Sequence, residues 1–225
     1  MNKRHTDAQS GVPGSILYII GCGPGSKDYL TLKAMEVVRK TDVIIGPRKL
    51  ADLFAPLSGH FIPAEKKISE IMDRIQEHLG KKSICVLVSG DPGCYSLARL
   101  IVDRFGLINC RLVPGISSVQ LALSRLGLDW TEARVLSVHG RKNKPGAEQI
   151  LSLGLCVILL GGDLVWMGSL LNRLLKKRWL VLMQDLGLPE ENISTIKSAS
   201  DLKQEISQSS LLVISQHPHQ TMETR

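Results

Sequence analysis

Ile84-Cys85-Val86-Leu87-Val88-Ser89-Gly90-Asp91-Pro92-Gly93-Cys94-Tyr95 is a solid apolar run that opens into a loop holding two glycines and a proline. A short, unalternated run rich in branched residues reads as a strand buried on both faces, as in a parallel sheet. Behind the loop, Leu97, Leu100, Ile101 and Phe105 fall on one face of a helix. The loop therefore joins a central strand to the helix that leaves it. In open α/β sheets ligands bind at such places, beyond the carboxyl ends of the strands. Gly90 and Gly93 permit positive φ and close backbone approach, Pro92 stiffens the turn, and Asp91 sets a carboxylate at its mouth. The same residues also fit a plain tight turn in which Asp91 caps the helix.

Working outward, the strand–glycine loop–helix pattern recurs. Ile16–Ile20 runs into Gly21-Cys22-Gly23-Pro24-Gly25, and Cys110–Val113 into Pro114-Gly115-Ile116-Ser117-Ser118. The first loop is not a dinucleotide fingerprint: Pro24 interrupts it, and Ser26 and Lys27 stand where a glycine and a helix start are needed. Further strands are expected at 43–46, at 61–62, at 134–138 ending in His139-Gly140-Arg141, and at 155–160 ending in Gly161-Gly162-Asp163. The last are expected at 180–183, 193–196 and 211–214. Helices are expected at 29–40 with Asp28 as cap, at 48–54 begun by Pro47, at 68–79 and from Val119 to Leu126. Others are expected at 147–153, 165–175 and about 201–206. The resulting fold class is α/β with two lobes, each an α/β sandwich around a mixed sheet, and the active site in the cleft between them. Residues 1–14 form a polar, disordered lead-in, 15–113 the first lobe and 114–225 the second.

Bulk properties narrow the function. The chain has 225 residues and a formal charge of +7, which favours an anionic partner. No apolar run approaches the roughly 18–20 residues of a membrane span, and residues 1–14 lack a signal-peptide core, so neither membrane nor secretion is expected. Aromatic residues are 4 %, with no basic–aromatic interleaving of the kind that stacks nucleic acid. The five cysteines (22, 85, 94, 110 and 156) are never spaced C-x-x-C, which reads as buried free thiols in a reducing cytoplasm, without disulfides or metal. His217-Pro218-His219 lacks further metal ligands. His139 differs from the other histidines because it ends a buried strand beside Gly140 and Arg141.

Gly21-x-Gly-Pro-Gly, Gly90-Asp91-Pro92-x-x-Tyr95 and Pro114-Gly115-Ile116-Ser117-Ser118, in that order, resemble the tetrapyrrole methylase family of S-adenosylmethionine (SAM) methyltransferases. Ser89–Gly93, Pro114–Ala122 and Leu136–Arg141 are most similar to its precorrin-6Y branch, which methylates carbon 5 of a corrin precursor in cobalamin synthesis. The resemblance runs from about Leu17 to Ser215. It implies SAM as methyl donor and S-adenosylhomocysteine as product. It assigns SAM contacts to Pro24, Gly90, Asp91 and Cys94, to Ile116, Ser117 and Ser118, and to the backbone near Leu160 and Gly161. It turns His139 and Arg141, the candidate catalytic residues, toward a polycarboxylate corrinoid. It further implies a homodimer and a separate methyltransferase/decarboxylase acting at carbon 15. Where this chain has Gly161-Gly162-Asp163, the family usually has Thr-Asp. Two alternatives are an RNA-methylating branch, which usually carries Gly-Thr-Pro at the first loop, and a binding module that senses SAM without turnover.

Overall fold

The computed structural model describes residues 16–64, 67–202 and 206–217. The lead-in 1–14, the histidine at position 219 and part of the expected helix 201–206 lie outside the described residues. The chain divides into two compact units, the first ending at Gly115 and the second beginning at Ile116.

The first unit runs β1 (Leu17–Gly21), α1 (Leu32–Lys40), β2 (Val43–Gly46), α2 (Arg48–Ala51), β3 (His60–Pro63), α3 (Ile68–His78), β4 (Ile84–Val88), α4 (Ala98–Phe105) and β5 (Cys110–Val113). Its sheet has the order β3-β2-β4-β1-β5, and every pairing is parallel. The mixed sheet expected here is thus corrected: each strand returns through a helix, so none is reversed by a hairpin.

Alternation along the strands explains the unalternated sequence. Leu17, Ile19, Val43, Ile45, Ile84 and Val86 pack on one face with α3 and α4. Ile20, Ile44, Cys85 and Leu87 pack on the other with α1 and α2. Both faces are covered, so both sets of side chains are apolar. The same arrangement fixes the site. From β1 the chain crosses β4 to reach β2; from β4 it crosses β1, in the opposite direction, to reach β5. Right-handed crossovers send these two connections over opposite faces. The neighbours β1 and β4 therefore part company at their carboxyl ends, which is a topological switch point.

The second unit runs α5 (Ser118–Arg125), β6 (Ala133–Ser137), α6 (Ala147–Leu151), β7 (Leu155–Leu159), α7 (Leu164–Leu174), β8 (Trp179–Gln184), β9 (Asn192–Ile196) and β10 (Ser210–Ser215). Its sheet, β6-β7-β10-β8-β9, is mixed: β6 and β7 are parallel and the other pairs antiparallel. Ile150 of α6 and Met167, Leu171 and Leu174 of α7 pack with Ile158, Leu182 and Leu212 of the sheet. Arg125 and Glu191 pair, with Nε to Oε1 at 2.8 Å, and Glu191 also accepts from Gly187 N at 2.6 Å, tying the β8–β9 turn to α5.

Local caps decide some helix ends differently from the sequence reading. α1 is capped by Thr31, not Asp28, because the Thr31 hydroxyl accepts from Ala34 N at 3.1 Å. Pro47 is the N-cap of α2 rather than its first helical residue. Of the expected helix 201–206, the described residues Asp201 and Leu202 belong to a 3₁₀ turn, Ala199–Leu202.

Three glycine backbones meet at the switch point. A methyl on Gly115 would lie 2.3 Å from Gly90 O and 2.7 Å from Gly21 O; one on Gly21 would lie 2.6 Å from Gly115 N. Gly115→Ala is expected to destabilise the protein by about 3 kcal/mol, the scale of overpacking against unyielding atoms. Gly154→Ala, where the added methyl meets nothing within 4 Å, should be nearly neutral. Denaturant midpoints compare the two, and equal midpoints would contradict this packing.

Candidate functional site

The first loop leaves β1 at Gly21 and the second leaves β4 at Ser89. They are stitched by reciprocal bonds, Gly23 N to Gly90 O at 3.2 Å and Gly90 N to Gly23 O at 2.8 Å. Gly90 has φ of 65°, a conformation open to glycine and costly for a branched side chain. Gly93, expected to share it, is not among the positive-φ residues.

Asp91 holds the third loop. Its Oδ1 accepts from Gly93 N at 2.7 Å and its Oδ2 from Gly115 N at 3.1 Å. It does not cap α4; Ser96 Oγ accepts from Ala98 N there instead. Each carboxylate oxygen keeps a further lone pair for an outside donor. Ser117 is buried and forms a capping box with Gln120: Gln120 N donates to Ser117 Oγ at 3.2 Å, and Ser117 N to Gln120 Oε1 at 2.9 Å. Ile116 and Ser118 flank it, half-buried, as is Pro24 on the first loop.

All five cysteines are free thiols, and all but half-buried Cys94 are buried. Burial pushes the Cys22 thiol up to about 12. Burial, with the negative charge of Asp91 second, also raises Cys94. Neither is a thiolate near neutral pH, so neither is an activated nucleophile.

In the second unit, His139, Gly140, Arg141 and Lys142 line a pocket of about 490 Å³ with Gly161 and Asp163. The exposed His139 ring lies against Gly161: a methyl there would come 1.9 Å from Nδ1. Gly161 has φ of 56°. The glycine standing where the family usually has threonine is thus the space His139 occupies. Asp163 caps α7, accepting from Trp166 N at 3.1 Å, and pairs with Lys144, which holds its carboxyl below the usual carboxylate range. Trp166 Nε1 donates to Pro145 O at 3.2 Å, so the loop after Arg141 is fastened to the start of α7. Lys144, which also lines this pocket, is thereby paired with Asp163. Leu160 is fully buried; its N–H donates to Ser210 O at 3.0 Å and its carbonyl accepts from Asp163 N at 3.2 Å. These bonds leave Gly161 as the more accessible half of that pair.

Sequence reasoning missed Asp185 and Ser207. Asp185 follows β8, on the same sheet edge as His139 and Gly161, with φ of 50°. Ser207 Oγ lies 2.6 Å from Asp185 Oδ1. The only signal in the chain was Gln184-Asp185 at a strand end.

The profile of tetrapyrrole (corrin/porphyrin) methylases matches residues 16–200. The chain belongs to the tetrapyrrole methylase family. It is 33 % identical over 131 residues to a probable cobalt-precorrin-7 C(5)-methyltransferase of Methanocaldococcus jannaschii, covering 56 % of this chain and 62 % of that protein. It is 30 % identical over 126 residues to the cobalt-precorrin-7 C(5)-methyltransferase of Salmonella typhimurium, with the same coverage. The matched stretch thus spans under two thirds of these relatives. Among solved structures, the precorrin-6Y methylase of Archaeoglobus fulgidus superposes with a TM-score of 0.73 at 25 % identity, over 91 % of this chain and 100 % of that one. A uroporphyrin-III C-methyltransferase of Thermus thermophilus, complexed with S-adenosylhomocysteine, gives 0.68 at 22 %, over 89 % and 97 %. The two-unit α/β architecture is therefore that of the tetrapyrrole methylases.

Cys94 should be the first thiol alkylated in the folded protein. Because its pKa is raised, its labelling rate should keep climbing above pH 9.0, the ordinary value. Removing the charge in Asp91→Asn lowers that pKa and should speed labelling at neutral pH. Peptide mass spectrometry after iodoacetamide treatment checks both; a rate that levels off below pH 9.0 would contradict the raised thiol.

Proposed function

We propose that this tetrapyrrole methylase is a SAM-dependent C-methyltransferase of cobalamin biosynthesis, acting on carbon 5 of a polycarboxylate corrinoid of the cobalt-precorrin-7 type. The observation that carries the reading is the meeting of three glycine loops at the switch point of the parallel sheet, with the Asp91 carboxylate fastening two of them. The names of the relatives support the choice of substrate. The five free thiols support a reducing compartment such as the cytoplasm.

The residues present fit SAM. Asp91 has lone pairs left for hydroxyl or ammonium donors, Gly90 lets a ligand approach the backbone closely, and Pro24 and Ser118 are each only half-buried. When bound, SAM supplies an electrophilic methyl group on a sulfonium. The protein's task is then to position the two reactants in line and exclude water. That demand is met by rigid loops and needs no strongly perturbed acid or base. Pro24, Gly90, Asp91, Cys94, Ile116, Ser117 and Ser118 are assigned to SAM, together with the backbone near Leu160 and Gly161. His139 and Arg141 are assigned to the corrinoid, where the guanidinium can grip a carboxylate with two hydrogen bonds.

Asp91→Ala is expected to weaken SAM binding by about 1–3 kcal/mol, the scale of a lost hydrogen bond to a charged group. Calorimetry showing unchanged affinity in the folded variant would remove this loop from the SAM site.

Arg141→Ala should raise the corrinoid KM or lower turnover while leaving SAM affinity nearly intact. Activity of the unaltered protein should fall as salt rises, because exposed cations act through a field screened over about 8–10 Å. Labelled SAM offered with corrinoid or with ribosomal RNA tests the reading itself. Label in RNA selects the other branch, and label in neither selects a non-catalytic SAM-binding module. Wild-type rates for Arg141→Ala across a salt series would remove His139 and Arg141 from the substrate wall.

A further inference from the structure

At the amino edge of the first unit's sheet, where β2, β3 and β4 begin, lies a concavity of about 540 Å³. It is a full strand length from the glycine junction, which sits at the carboxyl edge of the same sheet. Basic side chains reach it from three separate segments: Arg39 and Lys40 at the end of α1, His60 at the start of β3, and Lys81 and Lys82 in the turn after α3. Among the described residues that line it, Asp42 is the one carboxylate and no side chain is apolar. The three segments are clamped through Asp42. Ser83 N and Ser83 Oγ both donate to Asp42 Oδ2, at 2.9 and 2.7 Å, and Asp42 N donates back to Ser83 Oγ at 3.0 Å. His60 N donates to Asp42 O at 2.8 Å, and a methyl on Gly59 would lie 2.2 Å from Thr41 O. Lys40 is drawn toward Glu36, with Nζ to Oε1 at 3.0 Å, and Lys81 Nζ donates to the Glu77 carbonyl at 3.1 Å. Arg39 and Lys82 belong to no ion pair among the described residues, although Lys82 stands in the field of Asp42.

We infer that this concavity is a second ligand site of the protein, one that takes a compact oligophosphate of two or three phosphate groups. The inference is independent of the methyltransferase reading. Four cationic side chains, Arg39, Lys40, Lys81 and Lys82, stand against the single Asp42 carboxylate, a surplus of three positive charges. Like charges held side by side repel, and a bound polyanion relieves that repulsion. The donor set suits phosphate: arginine presents a planar fork to two oxygens, lysines act as point charges, and Ser58 brings an exposed hydroxyl to the same lining. The volume lies within the usual range for small-molecule sites. The lining also argues against larger occupants. It has no aromatic ring on which a nucleobase could stack, and no apolar or aromatic anchor of the kind that carries protein interfaces. A corrinoid would need an apolar floor for its ring, which these residues do not supply.

The test is calorimetric titration of the full chain with sodium tripolyphosphate at constant ionic strength. The unaltered protein is expected to bind it saturably. The double variant Arg39→Ala/Lys82→Ala should bind at least tenfold more weakly, and the milder Lys82→Gln severalfold more weakly. Lys176→Ala/Lys177→Ala removes the same charge from exposed positions just after α7 and should stay within twofold of the unaltered protein. All of these residues are exposed, so the variants should fold. Absence of saturable binding overturns the site. An equal loss in the two double variants assigns the attraction to net charge and overturns it as well. Citrate, a tricarboxylate, bound as tightly as tripolyphosphate overturns the choice of phosphate. A short RNA duplex bound more tightly than tripolyphosphate, through the same Arg39 and Lys82, gives the surface to nucleic acid and overturns the compact ligand. None of these outcomes bears on methyl transfer, which labelled SAM tests separately.

Discussion

The close approach of Gly21, Gly90 and Gly115 is the contact on which the rest of the first unit's carboxyl edge depends. Two adjacent parallel strands diverge there, and the loops that follow them have no ladder to hold them. What joins them is backbone: the reciprocal bonds between Gly23 and Gly90, and contacts so tight that a methyl on Gly115 would stand 2.3 Å from Gly90 O. Gly21 and Gly115 have no room here for a side chain of their own, so the loops approach each other through their main chains. Such a junction is stiff, which suits a reaction that needs positioning more than proton transfer.

Asp91 extends the junction with charge. Its two oxygens accept from Gly93 N and Gly115 N, linking the second loop to the third. A single carboxylate thus shapes its own turn, restrains a neighbouring loop and still has lone pairs to offer. The second unit uses a comparable device by other means. There the Lys144–Asp163 pair and the Trp166–Pro145 bond fasten the loop after Arg141 to α7, while the His139 ring lies on Gly161. Both units place polar groups on loops at strand ends and brace them with bonds to backbone, leaving the sheets apolar.

Most of the fold was legible from the chain. Most of the strands among the described residues lie where short branched runs lead into glycine or proline, and the central ones carry few polar residues because they are buried on both faces. The three loops at the first unit's carboxyl edge were legible for the same reason, since glycine and proline there interrupt strong apolar periodicity. Helix starts were less so. Asp28 and Thr31 are equally good capping residues by type, and only the tertiary path of the chain selected Thr31. Strand direction was also hidden in part: a mixed sheet was expected in both units, and the first is parallel throughout.

Sequence by itself determined the architecture class, the family and the loops that carry its motifs, because these follow from hydrophobic periodicity and from glycines that no other residue can replace. Tertiary structure alone decided what each polar side chain does. Asp91 does not cap the following helix but binds a loop 24 residues away, Lys144 is held by Asp163, and Gly161 is needed because a ring lies on it. It also brought Ile68, Tyr95 and Leu100 around one concavity. These are long-range pairings, and nothing in local spacing encodes which distant partner a carboxylate, an ammonium or an exposed apolar side chain will meet.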